Sequence, residues 1–212
     1  MNTENDYVSL GYYICKYEST SGYLSEISEK MISVSECLCI HEPQIFLCHG
    51  WKPKGDNEEY RCKCNLNKEQ YLEMSSEITN LCSDEKYIPD GRFLNISDAK
   101  YFYKKYFDNP QHILVSVITK SCYLNALDEN FKMGKIMHDG KGELIGCDII
   151  GWDISGFHSF LCNSLRDKFE HIKFNSYGLL DIKYIAVEEM AFKIKGMGEP
   201  VDWIPVMIRR VV

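Results

Sequence analysis

Strand-sized apolar segments and segments of helical periodicity follow one another along this chain in no regular order. A doubly wound α/β protein would show a repeated strand–helix–strand rhythm, which is missing here. We therefore predict an α+β fold with a mostly antiparallel sheet and helices packed on one side. The clearest strand predictions come from apolar runs and alternating patterns at residues 7–17, 59–66, 113–119, 143–152 and 203–212.

Helices are predicted where apolar residues recur every three or four positions. The first covers Leu24 to Val34. Capping residues fix the starts of the others. These predicted helices begin after Asn67 (with Gln70 completing a capping box), Ser97, Ser155 and Asp181, and a short helix is predicted at 123–130.

The chain has 212 residues, which suits one large domain or two small ones. The pair Asn109-Pro110 interrupts the second long helical segment. We predict an N-terminal α+β region at 1–109 and a C-terminal one at 110–212, with one continuous domain as the alternative.

The net charge is −7 and the sequence pI is about 5.4. Acidic surfaces repel phosphate backbones, so we expect no nucleic-acid partner and favour a basic protein partner. The simpler interpretation is that this acidity only keeps the protein in solution. A polar amino-terminal segment and the lack of any apolar run near the ~20 residues of a membrane span predict no membrane association and a cytoplasmic location.

Ten cysteines are present, and in a chain of this size without an export signal they are expected to be reduced. Cys37, Cys39, Cys62 and Cys64 form the densest group and could hold zinc together with nearby histidines. The one-residue spacing within each pair differs from the usual zinc knuckle. We therefore predict no cofactor and no metal, with a zinc-binding protein or zinc hydrolase as the alternative.

His158 and Cys162 are four residues apart, which would place them together on the helix predicted after Ser155. With Asp153 as an orienting group, they could form a thiol nucleophile and its base. A cysteine in the middle of a helix lacks the usual means of lowering its pKa, so a structural pair is favoured. Phosphate-binding glycine loops, dinucleotide fingerprints and nucleophile-elbow motifs are also missing, and we predict that the chain is not an enzyme.

The last hundred residues, roughly 112–212, carry a more specific pattern. A strand ending in Gly-Cys-Asp-Ile-Ile-Gly-Trp precedes a His-Ser-Phe-Leu-Cys-Asn segment, an Asn-Ser-Tyr-Gly-Leu turn and a final strand with Trp-Ile-Pro. This order resembles the small immunity proteins of bacterial polymorphic toxin and contact-dependent inhibition systems. The resemblance implies a cytoplasmic, non-catalytic protein that neutralises a cognate toxin by occluding it.

A partner surface of this kind is expected to be acidic and rich in aromatic residues, because toxic nucleases tend to be basic. Trp and Tyr are frequent binding hot spots. Trp51, Trp152 and Trp203 are therefore candidates, although each could equally lie in the core. The predicted partner-binding residues are Trp152, Asp153, His158 and Trp203.

Overall fold

The computed structural model describes residues 7–35, 58–88, 91–127, 131, 142–153, 156–162, 165–169 and 171–212. Strands in these ranges are β1 Tyr7–Lys16, β2 Glu18–Ser19, β3 Lys30–Met31, β4 Tyr87–Ile88, β5 Arg92–Phe93, β6 His112–Lys120, β7 Glu143–Trp152, β8 Phe157–Ser159 and β9 Trp203–Arg210. The α-helices are α1 Glu58–Lys63, α2 Lys68–Ser83, α3 Ile96–Tyr106 and α4 Tyr184–Lys193. Short 3₁₀ helices occupy Gly22–Glu26, Ser121–Ala126 and Leu165–Lys168. Within the described ranges, no helix is both long and apolar enough to cross a membrane.

A seven-stranded sheet with the order β4-β5-β1-β6-β9-β7-β8 forms the centre of the molecule. All of its recorded strand pairs are antiparallel, and β2 and β3 form a separate small hairpin. This architecture confirms the predicted α+β class. Both sides of the 109/110 boundary supply strands to the one sheet, and the division into two regions stays a prediction.

Residues on successive strand positions point to opposite faces of the sheet. In β6, Leu114 and Ile118 pack on the side that carries α2, α3 and α4. Ile113, Val115 and Val117 pack on the other side, beneath loops and the 3₁₀ helix at Ser121–Ala126. The continuous apolar run in β6 is explained by this burial on both faces.

The sheet curls around the face opposite α2, α3 and α4. The rings of Tyr13 in β1 and Phe157 in β8 are 6.0 Å apart between centroids, although β6, β9 and β7 lie between those strands. A flat sheet would separate β1 from β8 by about 19 Å, at about 4.8 Å per strand. Strands β1 and β8 therefore approach each other over a shared apolar interior.

Arg92, which is 1% exposed, crosses β1 at the bulge of Gly11. Gly11 has φ +142°, and a Cβ there would lie 2.2 Å from Cγ of Arg92. The guanidinium donates to the Leu10 carbonyl (3.1 Å) and lies 3.8 Å above the centre of the Phe131 ring. A glycine at position 11 thus permits a buried cation–π contact inside the curl.

Helix α2 begins as predicted, with Asn67 and Gln70 forming a reciprocal capping box. The start of α3 differs from the prediction. Asn95, not Ser97, is the N-cap, and its side chain accepts from the backbone N–H groups of Ser97 and Asp98, both at 2.9 Å. Because an Asn two residues earlier offers the same acceptor, the sequence signal was ambiguous.

The predicted strand at 59–66 is wrong, because Glu58–Lys63 forms helix α1. Asn65 adopts φ +55°, and the N–H groups of Asn65 and Leu66 donate to the Cys62 and Arg61 carbonyls. This pattern of bonds is the Schellman ending of a helix. The alternating pattern spans a helix and its left-handed ending at Asn65, with Cys64 and Leu66 buried there.

Two further helix predictions need correction. The segment from Leu24 to Val34 contains only a 3₁₀ turn and strand β3. The last helix is capped by Lys183, without a side-chain bond, and not by Asp181. It buries Val187, Met190 and Ala191 and leaves Ile185 on its exposed side.

His112 gives the fold a predictable response to pH. Its pKa is lowered from 6.5 to about 4, mainly because burial disfavours the charged ring and also because Lys16 repels it. As pH falls through 6.5, the unfolded chain gains a proton here while the folded chain stays neutral until about pH 4. Stability present above pH 6.5 should be lost toward pH 4, by up to about 3 kcal/mol.

We expect His112→Gln to remove this part of the pH dependence, whatever its effect on stability at neutral pH. Urea unfolding at several values between pH 7 and pH 4 would compare the two slopes. Equal slopes in the two proteins would show that His112 is not responsible.

Candidate functional site

His158 lies on β8 and not on a helix. Over its described residues, the α-helix predicted after Ser155 is replaced by β8, Phe157–Ser159, which pairs with the end of β7, and by the short 3₁₀ helix Leu165–Lys168. Phe157 and Phe160 therefore pack into different hydrophobic clusters, whereas a helix would have placed both on one side. The chain reverses between Asp153 and Gly156, whose backbone groups exchange hydrogen bonds of 3.1 and 3.2 Å.

Gly151 in β7 lies between the two strands that carry His158 and Trp203. It is the strand partner of His158 in β8 and of Trp203 in β9. A Cβ at Gly151 would lie 2.2 Å from Cγ2 of Val201, so the missing side chain lets Val201 pack directly on the strand. The loop at 195–202 thereby folds back over β7.

The same loop is held from its other end by Trp203. The indole Nε1 donates to the Met197 carbonyl at 2.8 Å, and the Val201 N–H donates to the Glu199 carbonyl at 2.8 Å. These contacts place Glu199 beside the end of the β7–β8 hairpin. Hydrogen bonds to the Met197 and Glu199 carbonyls therefore hold the backbone around the Glu199 carboxylate.

Asp153, His158 and Glu199 form a compact cluster at this point. The Asp153 Oδ2 lies 2.8 Å from His158 Nε2, and the Glu199 Oε2 lies 3.3 Å from His158 Nδ1. The imidazole is 12% exposed, whereas the two carboxylates are 40% and 33% exposed. A largely buried ring thus has a partly accessible carboxylate on each edge.

The four predicted partner-binding residues, Trp152, Asp153, His158 and Trp203, lie close together at the paired ends of β7, β8 and β9. Trp152 is half-buried and packs edge-on against Phe131 and Phe157, at centroid distances of 4.8 and 5.2 Å. Trp203 is only 5% exposed. Their role as partner contacts stays a prediction.

An apolar groove, here called the α4 groove, lies next to this cluster. It has a volume of about 350 Å³ between the 3₁₀ helix Ser121–Ala126, α4 and the start of β9. Its lining includes Tyr123, Ala126, Glu188, Phe192, Asp202 and Trp203. The 195–202 loop therefore contributes both to the histidine–carboxylate cluster and to a wall of the groove.

The outer side of α4 exposes large apolar residues. Phe192 is 79% exposed and Ile185 is 60% exposed, and their spacing of seven places them on one side of the helix. A second hollow of about 640 Å³ lies between them, along Glu188, Glu189 and Lys193. Phe192 borders both hollows, so the groove continues along the helix.

Glu188 is fixed in the floor between the two hollows. The Lys120 Nζ lies 2.8 Å from Glu188 Oε1, and the Tyr123 hydroxyl donates to the same oxygen at 2.9 Å. Burial raises the pKa of Tyr123, and the hydrogen bond to Glu188 raises it further. Tyr123 therefore remains a donor to Glu188 at neutral pH.

The other predicted clusters are resolved only in part. Cys37 and Cys39 lie outside the described residues, as does Trp51. Cys62 is exposed on α1, and burial raises the pKa of Cys64 to about 12, which disfavours the thiolate that a metal needs. The helix predicted after Ser155 would have placed Cys162 beside His158. Cys162 instead lies in a turn after β8, and the ring nitrogens of His158 face the carboxylates of Asp153 and Glu199.

Sequence reasoning identified Asp153 and His158 but missed Glu199 and Phe192. Glu199 lies in a loop far along the chain, where no periodicity marks it. The sequence pattern placed Ile185 on the buried side of α4. In the structure Ile185 lies on the exposed side, together with Phe192. No family model matches this sequence, and no curated protein or solved structure matches it either.

The role of Gly151 is testable by substitution. In Gly151→Ala, the new Cβ would meet Val201 and push the 195–202 loop away from β7. We expect a loss of about 1–3 kcal/mol in the free energy of unfolding, as for other overpacked sites. Urea unfolding provides the measurement.

Val201→Ala supplies the control, because it removes the atom that lies closest to the new Cβ. The cost of Gly151→Ala should be smaller in that background. An equal cost in both backgrounds would mean that the contact between residues 151 and 201 does not hold the loop.

Proposed function

We propose that this chain is a non-catalytic protein-binding protein, and that the α4 groove receives its partner. The observation that carries the proposal is the 79% exposure of Phe192 between two hollows. Large aromatic side chains at the centre of a contact surface supply much of the binding free energy. A hydrophobic side chain from the partner would fill the groove beside Phe192.

The charge of the chain supports a basic partner. With a net charge of −7, the protein attracts a positively charged domain over long range and raises the rate of encounter. Charges along the groove itself are mixed, since Glu188 and Glu189 lie near Lys120 and Lys193. Electrostatics would therefore steer association, while the apolar contacts determine how long the complex lasts.

The resemblance to immunity proteins indicates that the bound partner is a toxin. The segments that carry it contribute β7, β8, β9 and the 174–180 turn, in which Leu180 bridges to Cys147 of β7. We propose that the protein acts in the cytoplasm of a bacterium and occludes a basic toxin domain made by the same cell. A zinc-binding role for the cysteine group remains the alternative.

The partner to test is the product of a toxin gene, which would be sought beside the gene for this chain. Co-expression with the wild-type chain should restore growth, and the purified proteins should form a tight one-to-one complex. We expect Phe192→Ser to weaken that complex by at least about 30-fold, equivalent to about 2 kcal/mol, because a hot-spot ring is lost.

Tyr101→Ser is the matched control, since Tyr101 is an aromatic residue that is 59% exposed on α3. Both substitutions should leave stability within about 0.5 kcal/mol of wild type, as is usual at exposed positions. A complex weakened equally by both variants, or by neither, would place the interface elsewhere. A neighbouring product that neither binds nor is neutralised would refute the immunity role.

A further inference from the structure

We propose that Asp153, His158 and Glu199 bind a divalent transition-metal ion. One ligand atom from each residue lies within 4.8 Å of the others. An imidazole nitrogen with carboxylate oxygens is a common donor set for Zn²⁺, Mn²⁺ and Fe²⁺. The inference does not depend on the proposed protein partner.

The observed spacings suit ligands that share one ion. Atoms bound at about 2.0–2.2 Å on adjacent positions of a metal lie about 3 Å apart. Asp153 lies 2.8 Å from Nε2 of His158 and Glu199 lies 3.3 Å from Nδ1, on opposite edges of the ring. One ligand atom from each residue still lies within 4.8 Å of the others, so rotation of one carboxylate toward the nitrogen that holds the ion would complete a three-ligand site.

The charge of the donors suits a cation. Asp153 and Glu199 each present a carboxylate oxygen to His158. Like charges held near each other raise the energy of the folded state. A divalent ion would balance the formal charge of the two carboxylates.

The donors are also held in place before any ion arrives. His158 is fixed in β8 by its pairing with Gly151, and Asp153 starts the turn closed by Gly156. Glu199 is positioned by the packing of Val201 and by the bond from Trp203 to Met197. The partial exposure of both carboxylates leaves a route for the ion from solvent.

Metal binding here would join the β7–β8 hairpin to the 195–202 loop. That loop carries Asp202, which lines the α4 groove. An ion would therefore act as a clamp on one wall of the groove. Its role is structural, and it requires no reaction at the metal.

Mn²⁺ is the probe of choice because thiolates prefer softer ions, so the ten cysteines should compete little for it. Titration of the full-length, reduced protein would follow the loss of the free-ion signal by electron paramagnetic resonance. We expect about one equivalent to bind. Asp153→Asn, His158→Gln and Glu199→Gln should each raise the dissociation constant by about tenfold or more.

Asp181→Asn is the control, because it removes the same charge at an exposed position outside the cluster. Its affinity should remain within a factor of two of wild type. Mn²⁺ should also raise the melting temperature of wild type and Asp181→Asn but not of Glu199→Gln. Absence of a stoichiometric site, or equal binding by Glu199→Gln and Asp181→Asn when circular dichroism shows both folded, would overturn the proposal.

Discussion

The position of β9 is the constraint on which the rest of this structure depends. This strand lies in the interior of the sheet, between β6 and β7, so the sheet is incomplete until β9 has docked. Pro205 has no N–H to donate, and its carbonyl accepts from Thr119 at 2.7 Å and from Tyr184 at 3.0 Å. Side chains of β6 and α4 thus bind the strand directly and fix the helix against it.

Placement of β9 also sets the geometry of the candidate site. Trp203, its first residue, pairs with Gly151 and holds the preceding loop through Met197. That loop supplies Glu199 to the histidine–carboxylate cluster and Asp202 to the α4 groove. The histidine–carboxylate cluster and the α4 groove therefore both depend on the 195–202 loop, and a change in the loop should affect both.

Sequence reasoning succeeded where a local pattern and its tertiary environment agree. The predicted strand at 143–152 coincides with β7, and the capping box of Asn67 marks the start of α2. It failed where side-chain spacing fits two structures, as in Cys62 to Leu66, which end a helix. Cluster residues such as Glu199 could not be found, because they meet His158 only after the sheet has formed.

Amide hydrogen exchange would locate the proposed contact surface on the exposed side of α4 directly. Exchange would be compared in the free protein and in a complex with the proposed toxin partner. Binding at the α4 groove should give new protection in residues 184–193 and 121–126, the two walls of the groove. Protection confined to α2 and α3, with α4 exchanging as in the free protein, would contradict it.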